Sequence, residues 1–361
     1  MIYWISQEFV PRFSALNVFG YVTVRAVLAA LTAFLAGVFF GPAFIRRARK
    51  AGAQPVRDDG PQTHIAKRDT PTLGGLLMIA CVFASCFLWG DWSGKYLILV
   101  SGALAVFGGI GFLDDRLKLR RGSAKGLSAR AKFLLQSAAA AAALFAAVQS
   151  GVTAGHESAA IPYTKDWALP LGAGGMLALG YLAIVGSSNA VNLTDGLDGL
   201  VIVPAVMVAA GLAVYAYASG HAVFADYLGV PHLPGAHELT VFCAALGGAG
   251  LAFLWFNAHP AEIFMGDVGA LGIGAALGFI AFLVRQELIY VLMCGVFVME
   301  ALSVIMQVAY FKATGGRRIF RMTPLHHHFE LKGWRENQVV VRFWIIALMF
   351  VLVSLAGLKV R

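Results

Sequence analysis

Three aspartates, Asp114, Asp115 and Asp267, have neighbours that suit metal or phosphate chemistry. Asp114 and Asp115 are adjacent at the predicted end of a helix, where negative charge opposes the helix dipole. Adjacent carboxylates also repel each other unless a cation lies beside them. Asp267 stands between two glycines at a predicted helix start, where a carboxylate is favoured and can reach a metal. We interpret the three as a Mg²⁺ or phosphate site. The structural alternatives are an Asp115–Arg116 ion pair and helix capping by Asp267.

The segment 189–199 combines polar side chains with glycines, which let backbone approach a ligand closely. Asn192, Asp195 and Asp198 are spaced three residues apart, so a helical turn would put them on one side. A plain helix cap explains one of these residues but not the whole group. We therefore expect this segment to belong to a functional site.

The segment 67–75 leads into a predicted helix. Thr72 could cap that helix, and a helix N-terminus near Lys67 suits a phosphate. A capped helix with snorkelling basic residues explains the same segment equally well.

Three consecutive histidines, His326, His327 and His328, lie in the segment PLHHHFE. Adjacent side chains cannot all point one way, so a zinc site built from all three is not expected. Contact of one or two of them with an anionic substrate is the favoured interpretation.

The composition excludes an ordinary soluble domain. Hydrophobic residues make up 59% and charged residues 13% of the chain, and a soluble protein of this length needs a larger charged surface. The net charge of +9 would suggest nucleic acid in a soluble protein. In a membrane protein it reflects basic loops facing anionic lipid, so no nucleic-acid partner is expected.

Ten apolar stretches approach the roughly 20 residues that a membrane-spanning helix needs. The predicted spans are 21–43, 73–90, 96–113, 131–149, 168–188, 197–217, 239–256, 265–284, 288–310 and 339–358. Lysine and arginine concentrate in the loops after the first, third and ninth spans, which predicts that the odd-numbered loops are cytoplasmic. We expect an all-α polytopic membrane helix bundle in a bacterial inner membrane. Both termini are then periplasmic, five loops are cytoplasmic, and residues 1–361 form one domain.

These segments together resemble the polyprenyl-phosphate N-acetylhexosamine-1-phosphate transferases over essentially the whole chain. The resemblance is carried by GFLDDR, NAVNLTDGLDGL, NAHPAEIFMGDVGAL and PLHHHFE, in that order. The first three are similar across the superfamily. PLHHHFE resembles the branch whose donor is UDP-N-acetylmuramoyl-pentapeptide.

The resemblance implies a Mg²⁺-dependent reaction at the cytoplasmic face. Undecaprenyl phosphate attacks the β-phosphorus of the donor, which gives lipid I and releases UMP. It implies that Asp267 binds Mg²⁺, that Asp115 organises the metal site, and that Asp114 activates the acceptor as a base or a covalent nucleophile. The implied substrate contacts are Lys67, Thr72, Lys132, Asn189, Asn192, Asp195, Asp198, Asn257, His326, His327 and His328. The expected partners are the donor, the acceptor and membrane lipid, with a homodimer left open.

Two other functions compete with this interpretation. A related transferase would use UDP-N-acetylglucosamine, and PLHHHFE argues against it. A secondary transporter would hold its carboxylates near the bilayer midplane, whereas these acids are predicted to cluster at one interface.

Overall fold

A computed structural model describes residues 1–52, 70–123, 125–164 and 167–359 of the protein. Within these residues the regular secondary structure is almost entirely helical. The α-helices are α1 (Ile2–Phe9), α2 (Val22–Ala51), α3 (Gly74–Trp89), α4 (Lys95–Arg121), α5 (Ala129–Gln149), α6 (Gly172–Thr194), α7 (Ile202–Gly220), α8 (Ala222–Leu228), α9 (Glu238–Asn257), α10 (Gly266–Leu283), α11 (Glu287–Met293), α12 (Gly295–Ala313), α13 (Leu325–Glu330) and α14 (Glu336–Ala356). A 3-10 helix covers Ser14–Gly20, and strands β1 (Ser158–Ala160) and β2 (Ala168–Pro170) pair antiparallel.

Nine of the described helices are long and apolar enough to cross a membrane: α2, α4, α5, α6, α7, α9, α10, α12 and α14. The predicted all-α polytopic membrane bundle is therefore confirmed. The predicted span 73–90 is the shorter helix α3, which has 16 residues. At about 1.5 Å per residue it rises about 24 Å, against a hydrocarbon core of about 30 Å. The side of the membrane that each terminus faces stays a prediction.

Several predicted spans have different bounds in the structure, and α2 and α4 each extend eight residues beyond the predicted ends at 43 and 113. The span predicted at 288–310 is interrupted, because α11 ends at Met293 and α12 begins at Gly295. The span predicted at 168–188 starts too early and stops too early, since its first residues form β2 and α6 continues to Thr194. Apolar composition finds a span, but local hydrogen bonding decides where its helix begins and ends.

Helix α10 lies at the centre of the bundle. The membrane-spanning stretch of α10 is 94% buried, and the helix packs against α3, α4 and α6. Small and apolar residues occupy every side of this helix, as a fully buried helix requires. The glycines allow close approach, because a Cβ on Gly278 would lie 2.1 Å from the Ala183 carbonyl oxygen of α6.

Helices α4 and α10 run antiparallel, since Gly111 lies against Asp267 and Leu104 lies against Gly272. The C-terminal half of α4 therefore meets the N-terminus of α10 at one end of the bundle. We call this the aspartate end. Lys95, which begins α4, lies at the opposite end.

Candidate active site

Three carboxylates meet at the aspartate end. Asp114 and Asp115 come from α4, and Asp267 is the second residue of α10. An oxygen from each lies within 4.8 Å of an oxygen from each of the others. Asp114 and Asp115 are 2% and 1% exposed and Asp267 is 9% exposed. Sequence reasoning predicted that these distant residues share a site, and the fold brings them into one cluster.

Two lysines lie among these carboxylates. The Lys118 ammonium nitrogen is 2.7 Å from Asp114 Oδ2, 3.4 Å from Asp115 Oδ1 and 2.9 Å from Asp267 Oδ2. Lys132 Nζ is 2.5 Å from Asp267 Oδ2 and 3.6 Å from Asp114 Oδ2. We call these five residues the aspartate–lysine cluster. With ordinary ionisation it carries one net negative charge, so it can still attract a cation.

The prediction that Asp114 and Asp115 close their helix is wrong, because α4 continues past them to Arg121. Its last turn contains basic residues, which suit the negative end of the helix dipole. Gly122 then ends the helix with a φ of 56°, a conformation that glycine adopts without strain. The expected conflict between the aspartates and the dipole does not arise, since they lie in the helix interior.

Main-chain donors fix the two aspartates of α4. Asp115 Oδ2 accepts from the Val268 N–H at 3.2 Å, which is a free donor in the first turn of α10. Asp114 Oδ1 accepts from the Leu127 N–H at 2.6 Å, in the loop that leads to α5. Each carboxylate thereby holds a neighbouring element and keeps an oxygen for the cluster.

Helix α5 begins where it can deliver Lys132. Ser128 caps it, since its side-chain oxygen accepts from the Ala131 N–H at 3.2 Å. Lys132 follows in the first turn and reaches across to α10. This predicted substrate contact therefore lies inside the cluster.

The predicted capping role of Thr72 is wrong, because the N-cap of α3 is Leu73 and no side-chain hydrogen bond caps the helix. Thr72 is 2% exposed, and its hydroxyl has no hydrogen-bond partner among the described residues. A Cβ on Gly266 would lie 2.8 Å from that hydroxyl and 2.5 Å from Asp115 Oδ2. Thr72 thus lies beside the cluster, with its hydroxyl available to a ligand. Lys67 lies outside the described residues.

The segment around Asp195 is a helix end and turn, so the predicted single helical turn through Asn192, Asp195 and Asp198 is wrong. Asn192 lies in the last turn of α6, Asp195 is its C-cap, and Asp198 lies in the turn before α7. Burial raises the pKa of Asp195 to about 7, and the charges of Asp267, Asp115 and Asp198 raise it further in the same direction. The negative charges of Asp115 and Asp267 in the cluster therefore act on the Asp195 carboxyl.

Asp198 belongs to a second group of ligand-type atoms. Its Oδ2 accepts from the Ala261 N–H at 3.1 Å and lies 3.1 Å from His259 Nδ1. Its N–H donates to Glu336 Oε1 at 3.1 Å. A ring nitrogen of His259 and one carboxylate oxygen each from Asp198 and Glu336 lie within 4.8 Å of one another. Sequence reasoning assigned no role to His259 or Glu336.

Two of the predicted substrate contacts bind other parts of the protein. Asn257 Oδ1 accepts from the Gly199 N–H at 3.0 Å, and its Nδ2 donates to the Ile263 carbonyl at 2.8 Å. Asn189 Nδ2 donates to Gln136 Oε1 and to the Val185 carbonyl, both at 2.9 Å. These amides join neighbouring segments, and their contact with a substrate stays a proposal.

The three histidines point to different partners, as the sequence predicted. His326 is fully buried and lies 3.2 Å from Glu300 Oε1. His327 Nδ1 is 2.8 Å from Glu330 Oε2, and burial lowers the pKa of His327. His328 Nδ1 accepts from the Arg321 N–H at 3.1 Å.

His326 reaches the turn after α6. A Cβ on Gly196 would lie 2.2 Å from His326 Nε2, so only glycine leaves room there. Glu300 fixes the start of α13, because its carboxylate accepts from the Leu325 and His326 N–H groups at 2.6 and 3.2 Å. The histidine segment therefore lies against the turn that carries Asp195.

Sequence reasoning missed two important residues. Lys118 falls in the basic loop predicted after the third span and received no site role, although it lies four residues after Asp114 and would share its face on a continuing helix. Glu300 was overlooked within an apolar helix, where an isolated carboxylate is costly and signals a buried role.

The donor set of the cluster fits a hard divalent cation. Mg²⁺ prefers oxygen ligands and is commonly bound through one or two carboxylates. Asp114, Asp115 and Asp267 offer carboxylate oxygens at short mutual distances, and the Lys118 ammonium already lies among them. A divalent cation bound between these carboxylates would share or take over the position of the Lys118 ammonium.

Fold and cluster together define a class: a polytopic membrane protein with carboxylates and lysines gathered at one end, an arrangement that suits phosphoryl chemistry. Residues 97–285 match glycosyl transferase family 4. The match covers more than half of the chain, so the protein belongs to this family, which includes the polyprenyl-phosphate hexosamine-1-phosphate transferases. The protein is therefore a multi-pass membrane phospho-sugar transferase, with a polyprenyl phosphate acceptor and a nucleotide-sugar donor.

The matched region contains the aspartate–lysine cluster and the segments 189–199 and 257–269, and it ends before PLHHHFE. The family resemblance inferred from the motifs is thus confirmed.

Proposed function

We propose that the protein transfers phospho-N-acetylmuramoyl-pentapeptide from its UDP carrier to undecaprenyl phosphate. The products are lipid I and UMP, and the reaction is the first membrane step of peptidoglycan synthesis. The observation that carries this choice of donor is the histidine segment. It forms the ordered helix α13, and His326 packs against Gly196, beside Asp195.

Phosphoryl transfer depends mainly on positioning and charge neutralisation. Lys118 and Lys132 offer ammonium groups to phosphate oxygens from positions that α4 and α5 fix. The Thr72 hydroxyl, buried and without a partner among the described residues, offers a further hydrogen bond.

Asp267 and Asp115 are the proposed ligands of Mg²⁺. A bound Mg²⁺ would neutralise diphosphate charge and stabilise the departing UMP. The supporting observation is the short distance between carboxylate oxygens of the two residues. Asp195 or Asp198 would position the donor or the metal.

Asp114 contributes little as a general base in this proposal. A phosphate monoester has a second pKa of about 6 and is already largely dianionic at neutral pH. Removing its last proton therefore lowers the barrier little. Because Asp114 contacts Lys118 and orders Leu127, we assign it to orienting the lysine and the loop. A trapped phospho-aspartyl enzyme would contradict direct attack by the acceptor.

The aspartate end is proposed to face the cytoplasm of a bacterial inner membrane. The loop between α4 and α5 begins with the basic last turn of α4, and basic loops remain cytoplasmic. A soluble nucleotide donor and a membrane acceptor would meet at this depth.

Donor identity can be tested with purified protein and undecaprenyl phosphate. UDP-N-acetylmuramoyl-pentapeptide should support UMP release and a lipid-linked product, whereas UDP-N-acetylglucosamine should do so at least about a hundredfold less well. Equal or better use of UDP-N-acetylglucosamine would assign the protein to the competing transferase. UMP release also excludes a transporter.

The histidine segment can be tested within the same assay. His327→Ala should raise KM for the donor more than KM for undecaprenyl phosphate. His221→Ala, an exposed histidine at the opposite end, is the matched control. Equal effects on both substrates would instead indicate a structural role for His327.

The metal assignment can be tested with Asp267→Asn. We expect kcat to fall by about a hundredfold or more, with weaker Mg²⁺ binding measured by calorimetry. Asp226→Asn, an exposed aspartate of α8, should leave both quantities unchanged. Near-normal activity and Mg²⁺ affinity in Asp267→Asn would refute the assignment.

A further inference from the structure

A cavity of about 470 Å³ lies at the end of the bundle opposite the aspartate–lysine cluster. Its walls come from the connections before α4, after α5, after α8 and after α10. Lys95 lines the cavity and begins α4, and Asp114 follows 19 residues later on the same helix. At about 1.5 Å per residue the two lie about 28 Å apart along the helix. The cavity is therefore separate from the candidate active site.

Two cationic side chains and one imidazole line the cavity. Lys95, Arg285 and the exposed His232 line it, and none of its lining residues in the described part of the chain is acidic. Lys95 Nζ donates to the Ser150 carbonyl at 2.5 Å. The Arg285 guanidinium donates to the Ala154 carbonyl at 2.6 Å and to a neighbouring carbonyl at 3.4 Å. Neutral carbonyls hold both cations in place without cancelling their charge.

Three carboxylates lie on elements adjacent to the cavity, and none of them lines it. Asp91 Oδ1 accepts from the Ser93 N–H at 3.0 Å and from the Ser93 hydroxyl at 2.7 Å. Glu238 of α9 binds the Arg25 guanidinium at 2.5 and 2.8 Å. Glu287 of α11 lies 2.9 Å from His156 Nε2. Glu287 also attracts Arg285 electrostatically, but it is 2% exposed and does not line the cavity. The side chains that line the cavity therefore include two positive charges, Lys95 and Arg285, and no carboxylate.

Arg285 has an unusual conformation for its position. Its φ is 58°, in the left-handed region where a side chain adds strain and glycine does not. Its Nε is buried and has no hydrogen-bond partner among the described residues. Unsatisfied buried donors are rare in folded proteins. A buried guanidinium donor without a partner among the described residues therefore lies in a left-handed turn beside the cavity.

The N-terminus of α4 opens at the same cavity. Gly94 is its N-cap, and no side chain caps the helix, so its first N–H groups are available to an anion. Exposed aromatic side chains occur at this end of the bundle, with Trp167 70% and Tyr227 66% exposed. Tryptophan and tyrosine collect at the level of lipid head groups. The cavity therefore lies at the depth of lipid phosphates.

We propose that this cavity binds a phosphate-bearing anion, with the head group of an anionic phospholipid as its occupant and Lys95 and Arg285 as its ligands. Arginine pairs with phosphate through two parallel hydrogen bonds, and lysine supplies a point charge. A volume of about 470 Å³ falls within the range of about 300–1,000 Å³ typical of small-ligand sites.

The test uses the full-length protein in nanodiscs of phosphatidylcholine containing a minor fraction of phosphatidylglycerol. After transfer to mild detergent, native mass spectrometry measures how much phosphatidylglycerol stays bound. Lys95→Gln and Arg285→Gln each keep an N–H donor for the carbonyls but lose the charge. We expect each to weaken retention about tenfold. Lys359→Gln is the control, because this lysine contacts Tyr227 at the same end and outside the cavity.

The outcomes separate the two sources of phosphate. If phosphatidylglycerol stays bound when inorganic phosphate is added, the occupant is the lipid head group. If inorganic phosphate displaces the lipid, the cavity is a site for free phosphate. Unchanged retention in Lys95→Gln would overturn the proposal, as would an equal loss in Lys359→Gln. Lys95 is exposed, so Lys95→Gln remains informative if Arg285→Gln fails to fold. UMP release by each variant checks that the protein is intact.

Discussion

Lys118 is the residue on which the charges of the candidate site converge. Its ammonium lies within 3.4 Å of oxygens from Asp114, Asp115 and Asp267, and its side chain is 9% exposed. Three carboxylates so close together would repel strongly without a cation among them. Lys118 therefore acts as an internal counter-ion when no divalent cation is bound.

We expect Lys118→Gln to destabilise the metal-free protein by up to about 3 kcal/mol, because the buried carboxylates lose their closest cation. Added Mg²⁺ should recover most of this loss, since it supplies the missing positive charge. Apparent Tm in detergent, with EDTA and then with Mg²⁺, measures both effects. Lys312→Gln in the exposed last turn of α12 serves as the control. The same loss with and without Mg²⁺ would argue against a shared cation position.

We expect Asp195 to make the stability of the metal-free protein depend on pH. Burial and neighbouring carboxylates raise its pKa from 3.8 to about 7. A raised pKa means that protonation favours the folded state. This contribution is complete below about pH 4 and is lost as the pH rises through about 7.

Asp195→Asn should therefore gain stability relative to the wild type as the pH rises from about 5 to about 8, by on the order of 1 kcal/mol. The comparison is made by thermal unfolding in EDTA, and Asp226→Asn controls for a carboxylate lost from the surface. A difference between Asp195→Asn and wild type that does not change with pH would contradict the raised pKa.

At the scale of elements, the contact between α4 and α10 builds the cluster. Gly111 permits it, because a Cβ there would lie 2.2 Å from the Asp267 carbonyl oxygen. Asp115 then reaches the Val268 N–H in the first turn of α10. Helix packing and ligand geometry therefore depend on the same close approach.

Gly111→Ala should push α4 away from α10, destabilise the protein by about 1–3 kcal/mol and reduce Mg²⁺ affinity. Gly109→Ala is a close control, since a Cβ at Gly109 meets nothing within 4 Å on the same helix. Unfolding in detergent and Mg²⁺ titration measure the two effects. Equal behaviour of the two variants would show that the close approach is not required.

At the scale of the whole molecule, the aspartate end and the cationic cavity lie at opposite ends of α4. Basic residues in the last turn of α4 predict that the aspartate end is cytoplasmic. The cationic cavity would then face the periplasmic leaflet, and the donor would be drawn from the cytoplasm.

This orientation predicts the reactivity of introduced cysteines. Lys125→Cys lies in the loop after α4 and Ser93→Cys in the loop before it, and both positions are exposed. A membrane-impermeant maleimide should label Ser93→Cys on intact cells. It should label Lys125→Cys only after the cells are opened. The four native cysteines are buried, so background labelling should be low. The reverse pattern would invert the predicted topology.

The sequence by itself determined the class of this protein. Long apolar stretches required a membrane bundle, because no soluble fold could cover them with 13% charged residues. Polar motifs with glycines identified the family and most of the cluster, since costly carboxylates in an apolar chain signal function. These inferences depend on composition and local spacing, which the sequence contains directly.

Only the tertiary structure decided how the cluster is assembled. The sequence placed Asp114 and Asp115 at a helix end, whereas α4 continues to Arg121 and brings Lys118 among the carboxylates. The partners of Asn257 and His326 likewise come from distant segments. The physical reason is that helix ends and side-chain partners depend on packing between segments far apart in the chain, and local propensity does not encode that packing.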